Sequence, residues 1–219
     1  MKEQEIHIDY KARYCTLGDF NEATRKIWFV LHGYGQLARF FIRKFKTLSD
    51  EGVYVIAPEG LSKFYLEDVT TRAQSGNSRV GAAWMTSENR LADIENYIHY
   101  LNTVYEKEVP DSFDGEITFL GFSQGTATAT RWAIDGNKKF HRLVLWSGLL
   151  PPDLDFVKAN EILHDKIFVE VLGKADPYIT SERMKEMTEL NALLNIKPVL
   201  IDFNGGHDID EDVLKGLIL

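Results

Sequence analysis

The sequence predicts an α/β fold with a mostly parallel central sheet and helices on both faces. Three observations carry this expectation. Residues 27–31, 53–57, 117–120, 143–146, 167–172 and 198–201 are near-continuous apolar runs, as expected of strands covered on both faces. Amphipathic helical patterns fall between them, and strands that alternate with helices assemble into a parallel sheet. One run, Ile117 to Leu120, leads directly into Gly121-Phe122-Ser123-Gln124-Gly125 and then into a helix-compatible stretch over 126–134. A strand, a sharp turn with serine at its corner and a helix are thus written consecutively.

The elements follow in order. Residues 6–14 place Ile6, Ile8, Tyr10, Ala12 and Tyr14 on one face, which predicts a half-buried antiparallel strand at a sheet edge. Phe40, Phe41, Phe45 and Leu48 share a helical face. Leu91, Ile94, Ile98, Leu101 and Tyr105 form a longer stripe whose helix is expected to be capped near Ser87. Met184, Met187, Leu190 and Leu194 repeat the spacing, and Val213, Leu214, Leu217 and Ile218 close the chain. Core packing accounts for all of these stripes. Residues 60–83 and 148–156 are read as long irregular loops, both after strand ends where ligands sit in open α/β sheets. With 219 residues and no linker, repeat or low-complexity segment, one domain spanning 1–219 is expected.

Composition narrows the partners. The net charge of −8 gives no basic footprint for nucleic acid and no attraction to anionic membranes. Cys15 is the only cysteine, so no intrachain disulfide forms, which fits a reducing compartment. Residues 1–7 lack the apolar core of a secretory signal, and no stretch approaches the ~18 apolar residues of a membrane helix. A cytoplasmic protein without stable membrane insertion is expected, its oligomeric state open.

The chemistry centres on Ser123. A G-x-S-x-G pentapeptide arises by chance in roughly one chain in ten of this length. At a strand–turn–helix corner it is a nucleophile elbow, and it needs a base, an acid and an oxyanion hole in support. Of six histidines, only His207 follows the last core strand, in the glycine-rich loop Asn204-Gly205-Gly206-His207-Asp208. The acid candidates are Asp176, just past the 167–172 strand and stiffened by Pro177, with Asp202 and Asp208 as rivals. Asp176 is preferred, because adjacent residues rarely point a carboxylate at their neighbour's imidazole. Oxyanion donors are expected from the backbone amides of Gln124 and of Tyr34, within His32-Gly33-Tyr34-Gly35-Gln36. His32 is then a structural residue and not a second base. No metal-ligand cluster, dinucleotide loop or phosphate loop is present in the sequence, so no metal or cofactor is expected.

These segments together resemble the phospholipase/carboxylesterase family of α/β-hydrolases, the small group with little or no lid that includes acyl-protein thioesterases. The resemblance rests on His32 to Gln36, Ala57-Pro58, Gly121 to Gly125, Gly173 to Asp176 and Gly206-His207, in order along nearly the whole chain. It implies Ser123 as nucleophile, Asp176 as acid, His207 as base and oxyanion amides at Tyr34 and Gln124. The chain departs from the family pattern at Thr126, where another glycine is usual. It departs again at Trp84-Met85-Thr86, where Trp-Phe-Asp is usual, and across 60–83. These departures fall where an acyl or alcohol group would bind. The implied activity is cofactor-free hydrolysis of carboxylic esters, with short acyl groups expected. The alternatives are a thioesterase or lysophospholipase on the same machinery, or a binding protein without turnover. Tyr34, Phe64, Tyr65, Trp84, Trp146 and Leu149 are the expected pocket walls, and a small-molecule ester is the expected partner.

Overall fold

The fold was determined as a computed structural model that describes residues 1–76 and 78–218. Seven strands form the main sheet: β1 (Tyr14–Leu17), β2 (Lys26–Leu31), β3 (Tyr54–Pro58), β6 (Glu116–Phe122), β7 (Arg142–Trp146), β8 (Ile167–Gly173) and β9 (Val199–Phe203). Their spatial order is β1-β3-β2-β6-β7-β8-β9. All neighbours are parallel except β1, which runs antiparallel to β3. A two-stranded antiparallel sheet, β4 (Ser62–Tyr65) with β5 (Val80–Ala83), stands apart from it.

Side-chain alternation explains why the strand sequences are continuously apolar. Along β2, Ile27, Phe29 and Leu31 enter one core, and Trp28 and Val30 enter the other. The first core lies under α4 (Arg90–Glu108), α5 (Gln124–Asp135), α6 (Phe156–Leu163) and α7 (Ser181–Ala192). The second lies under α1 (Ala38–Phe41), α2 (Lys46–Asp50) and α8 (Glu211–Ile218), with a 3-10 turn at Ile42–Phe45. Each fully buried large apolar side chain contributes roughly 1.5–3 kcal/mol. Packing onto the sheet therefore holds the four- and five-residue helices α1 and α2, which are too short to persist alone. The carbonyls of Leu217 and Ile218 at the end of α8 accept from Arg142 and Lys26, cations at the starts of β7 and β2. Among the described residues no helix is long and apolar enough to cross a membrane.

Several local expectations are corrected. Residues 6–13 are not a strand. β1 is an antiparallel edge strand as expected, but it begins at Tyr14, whose register partner is Pro58, the last residue of β3. The Arg13 carbonyl still accepts from the Glu59 amide, but among the described residues no strand lies beside 6–12 to pair with. Phe40 and Leu91 are exposed, off the buried faces of α1 and α4. Asn89, in a left-handed conformation, precedes α4 in place of Ser87. β9 is the other sheet edge and leaves Val199 and Leu200 exposed.

The 60–83 stretch is mostly structured. It holds β4, α3 (Val69–Ser75) and β5, and only its residue 77 lies outside the described residues. Four-residue strands are too short for periodicity to reveal. Asp68 caps α3, its side chain accepting from the Thr71 amide.

Candidate active site

The turn after β6 is as strained as the sequence suggests. Ser123 has φ 54° and ψ −117°, a conformation costing roughly 1–3 kcal/mol for a non-glycine residue. The flanking glycines make the turn possible by close approach. A Cβ at Gly121 would stand 2.2 Å from the Gly125 carbonyl oxygen, and one at Gly125 would stand 2.2 Å from that of Leu31. Thr126 adds a brace: its hydroxyl lies 2.7 Å from the Ser123 carbonyl oxygen and 3.2 Å from that of Leu149. The departure at Thr126 thus ties the elbow to the loop after β7.

Two other strand ends bring a base and an acid together. Asp176 follows β8 and His207 follows β9, and His207 Nδ1 lies 2.7 Å from Asp176 Oδ2. The Asp176 side chain is fully buried, and its Oδ1 accepts from the Tyr178 amide at 2.9 Å. The imidazole sits between two rings, Phe122 at 4.8 Å and Tyr178 at 4.7 Å between centroids. Phe122 immediately precedes Ser123, so the histidine is seated beside the elbow. The rivals face elsewhere: Asp208 pairs with Lys44, and Asp202 is exposed on β9.

The loop after β2 closes the third side. A Cβ at Gly33 would lie 3.1 Å from Ser123 Cβ, so this backbone passes directly against the elbow. Among the described residues neither the Tyr34 nor the Gln124 amide has a protein acceptor. His32 holds the loop from behind: its Nδ1 donates to the Gly33 carbonyl at 2.8 Å, and its Nε2 accepts from the Gly60 amide at 3.0 Å. Burial pushes its pKa down, which keeps it neutral in this role. The small sheet docks on the same loop through Gly35 N–H to the Ala82 carbonyl, 2.8 Å, and Ala82 N–H to the Gln36 carbonyl, 3.1 Å. A strained serine, a carboxylate-bound imidazole and two unengaged amides converge at the carboxyl ends of the parallel strands.

A family model described as serine hydrolase (FSH1) matches residues 22–211. The chain belongs to this family. It is a hydrolase, and the match spans every segment just described. The structure is similar to Zea mays acyl-protein thioesterase 2, with TM-score 0.67 and 19% identity over 95% of this chain and 98% of that one. It is similar to a carboxylesterase from Mesorhizobium loti, with TM-score 0.68 and 16% identity over 94% and 92%. A phospholipase/carboxylesterase from Dyadobacter fermentans follows, with TM-score 0.56 and 16% identity over 96% of each chain. At such identities the likeness shows the α/β-hydrolase fold and nothing finer. No curated protein matches the chain.

Within this serine hydrolase the expected pocket walls divide. The Tyr34 and Phe64 rings meet at 5.0 Å in a tilted contact, with Tyr34 and Tyr65 exposed at the loop after β2. Arg72 lies over the Tyr65 ring at 3.9 Å, and Arg79 pairs with Glu67. Trp84 and Trp146 do not reach an open surface, being 1% and 0% exposed, and Leu149 is buried in the first core. Their polar atoms show what they do. Trp84 Nε1 donates to the His32 carbonyl at 2.8 Å, its ring lies 5.0 Å from the imidazole, and its amide donates to Gln124 Oε1. Trp146 Nε1 donates to the Asp208 carbonyl at 2.9 Å, next to His207. Both tryptophans brace loops of the candidate site from the inside. Trp84→Ala is therefore expected to destabilise the fold by roughly 3–5 kcal/mol. It should lower kcat more than it raises KM. A raised KM with an unchanged melting temperature would return Trp84 to the pocket.

Sequence reasoning missed Tyr178 and Asp153. Tyr178 has no periodic signal, only its place two residues after the acid. Asp153 receives Arg90 at 2.5 Å and Arg131 at 2.6 Å, clamping the 148–156 loop onto α4 and α5. Burial works to raise its pKa, but the two guanidinium hydrogen bonds prevail and hold it at about 2. Among the described residues no three His, Cys, Asp or Glu side chains are grouped to hold a metal ion.

Glu170 is the unexpected charge carrier. It lies fully buried on β8, with Asn191 of α7 donating to its Oε2 at 2.8 Å, while its Oε1 and Asn191 Oδ1 have no partner. Burial pushes its pKa up to about 7 against a hydrogen bond from Asn191 that lowers it. A raised folded-state value means that its stabilising neutral form is fully present below about pH 4.5 and is lost as pH rises through 7. That loss is on the order of 3 kcal/mol. Glu170→Gln pairs amide with amide and has no charge to bury. Its unfolding free energy is expected to exceed wild type at pH 8 and to match it near pH 4.5. Parallel pH profiles for the two proteins would rule this out.

Proposed function

We propose that the protein hydrolyses carboxylic esters through an acyl-enzyme on Ser123. The observation that carries this reading is the buried Asp176 carboxylate on His207 Nδ1, beside a serine held in an elbow. With Nδ1–H held by Asp176, Nε2 is the free base. It takes the proton of Ser123 as the hydroxyl oxygen attacks the ester carbonyl. The oxyanion is received by the Tyr34 and Gln124 amides. His207 then returns the proton to the leaving alcohol. A water deprotonated by His207 attacks the acyl carbonyl, and collapse frees the acid and Ser123. The Phe122 and Tyr178 rings pack against His207 and hold the imidazole in place.

Short acyl esters are the substrate class. The aromatic pair Tyr34–Phe64 offers an apolar rest at the mouth that suits a short acyl group. The name of the maize neighbour favours a second reading, thioester cleavage by the same groups. The single cysteine fits a reducing compartment and so supports a cytoplasmic location. The test is a panel of p-nitrophenyl esters of graded acyl length, run beside acyl thioesters, with fluorophosphonate labelling of Ser123. Phe64→Ala is expected to raise KM for short esters severalfold with little change in kcat. A preference for long acyl chains would overturn the substrate class, and an unlabelled Ser123 would overturn the mechanism.

A further inference from the structure

Residues 4–12 lie outside the sheet, yet their side chains still alternate. In an extended chain Ile6, Ile8, Tyr10 and Ala12 fall on one face, and Glu5, His7, Asp9 and Lys11 on the other. Ala12 packs against the first core, but Tyr10, Ile8 and Ile6 are 55%, 73% and 84% exposed. Among the described residues, no backbone N–H or C=O of residues 1–12 bonds to another backbone group. Side chains tether the segment: Tyr10 donates to the Leu61 carbonyl at 3.2 Å and accepts from Lys63 Nζ at 3.5 Å, and Asn89 donates to Glu5 Oε1 at 3.1 Å. Unused main-chain groups beside alternating apolar side chains form a template for another strand.

The charge pattern of the segment selects that strand. Laid antiparallel on a second copy about Ile8, Ile8 faces itself, Ile6 faces Tyr10, His7 faces Asp9 and Glu5 faces Lys11. No like charges meet. Sliding the register to centre on His7 sets Asp9 against Glu5, and centring it on Asp9 sets Asp9 against itself. A one-residue slip turns the apolar face of one strand to the charged face of the other. The Arg13 carbonyl already accepts from the Glu59 amide at 3.2 Å and the Tyr100 hydroxyl at 2.6 Å, so free main-chain pairing stops at Ala12. We infer that residues 4–12 pair with the same residues of a second copy of this chain, as an antiparallel ribbon centred on Ile8. The partner is a second copy because the segment is complementary to itself in charge, apolarity and direction at the register that pairs all of residues 4–12.

A ribbon this short buries less than a standard interface of roughly 1,200–2,000 Å², so dimerisation is concentration-dependent. Sedimentation equilibrium of the full chain over a range of concentrations is expected to show monomer and dimer. Glu5→Lys sets lysines against Lys11 at both ends and should weaken the dimer about tenfold. Glu5→Lys with Lys11→Glu should restore it. In a Cys15→Ser background, Ile8→Cys should cross-link on oxidation because residue 8 faces itself, whereas Gln4→Cys, opposite Ala12, should not. A monomer at every concentration overturns the inference. So does a dimer indifferent to Glu5→Lys, or one in which Gln4→Cys cross-links as readily as Ile8→Cys.

Discussion

Ser123→Ala is expected to reduce ester turnover by roughly 10⁴-fold or more while leaving the fold in place. The serine is partly exposed at its corner, and its side chain has no hydrogen-bond partner within the protein among the described residues. Removing the hydroxyl therefore deletes the proposed nucleophile without orphaning a buried group. The strained backbone is held by contacts alanine keeps: the close passage of Gly121 against Gly125, and the Thr126 amide and hydroxyl on the residue 123 carbonyl. The melting temperature should stay near wild type, and fluorophosphonate labelling should vanish. A purified variant retaining a tenth of the activity would move the nucleophile elsewhere.

Asp176→Asn is expected to cost about as much, roughly 10⁴-fold in turnover, by a different route. In the native site both carboxylate oxygens accept, one from His207 Nδ1–H and one from the Tyr178 amide. An asparagine oxygen can still satisfy the Tyr178 N–H, which leaves its NH₂ facing the imidazole. Nδ1 must then accept, so the ring proton moves to Nε2, and the base that should take the serine proton already carries one. The carboxylate that stabilised the imidazolium is lost as well. Asp202→Asn and Asp208→Asn are expected to stay near wild type, since one carboxylate is exposed on β9 and the other pairs with Lys44. Crippled turnover in Asp202→Asn with active Asp176→Asn would reassign the acid.

The sheet was legible because burial on both faces leaves a continuous apolar run: all six apolar runs are strands, five of them buried on both faces, with β9 the exposed edge. The segment before Tyr14 shows the limit of this reasoning. Alternation records which face of an extended chain is apolar and does not record whether a neighbour exists to pair with it. The glycine-flanked elbow was legible for a local reason. Ser123 needs a backbone that only close glycine approaches permit, and that need is met within five consecutive residues. The choice among Asp176, Asp202 and Asp208 was only narrowed, because a hydrogen bond across 31 residues of chain has no periodic trace. The aromatic walls were misjudged at Trp84 and Trp146 for the same reason. An indole looks the same in sequence whether it faces substrate or braces a loop carbonyl from within the core.

The sequence by itself determined the α/β class, the strand–turn–helix that carries Ser123 and the candidate identities of base and acid. Each is encoded by residues near one another in the chain, through side-chain parity, helical spacing or backbone freedom. Only the tertiary structure decided that Asp176 meets His207, that His32 and both tryptophans stand behind the loops of the candidate site, and that Glu170 is buried against Asn191. Those outcomes depend on the register in which β2, β6, β8 and β9 align their carboxyl ends. That register is fixed by packing two cores simultaneously, a condition no single segment expresses.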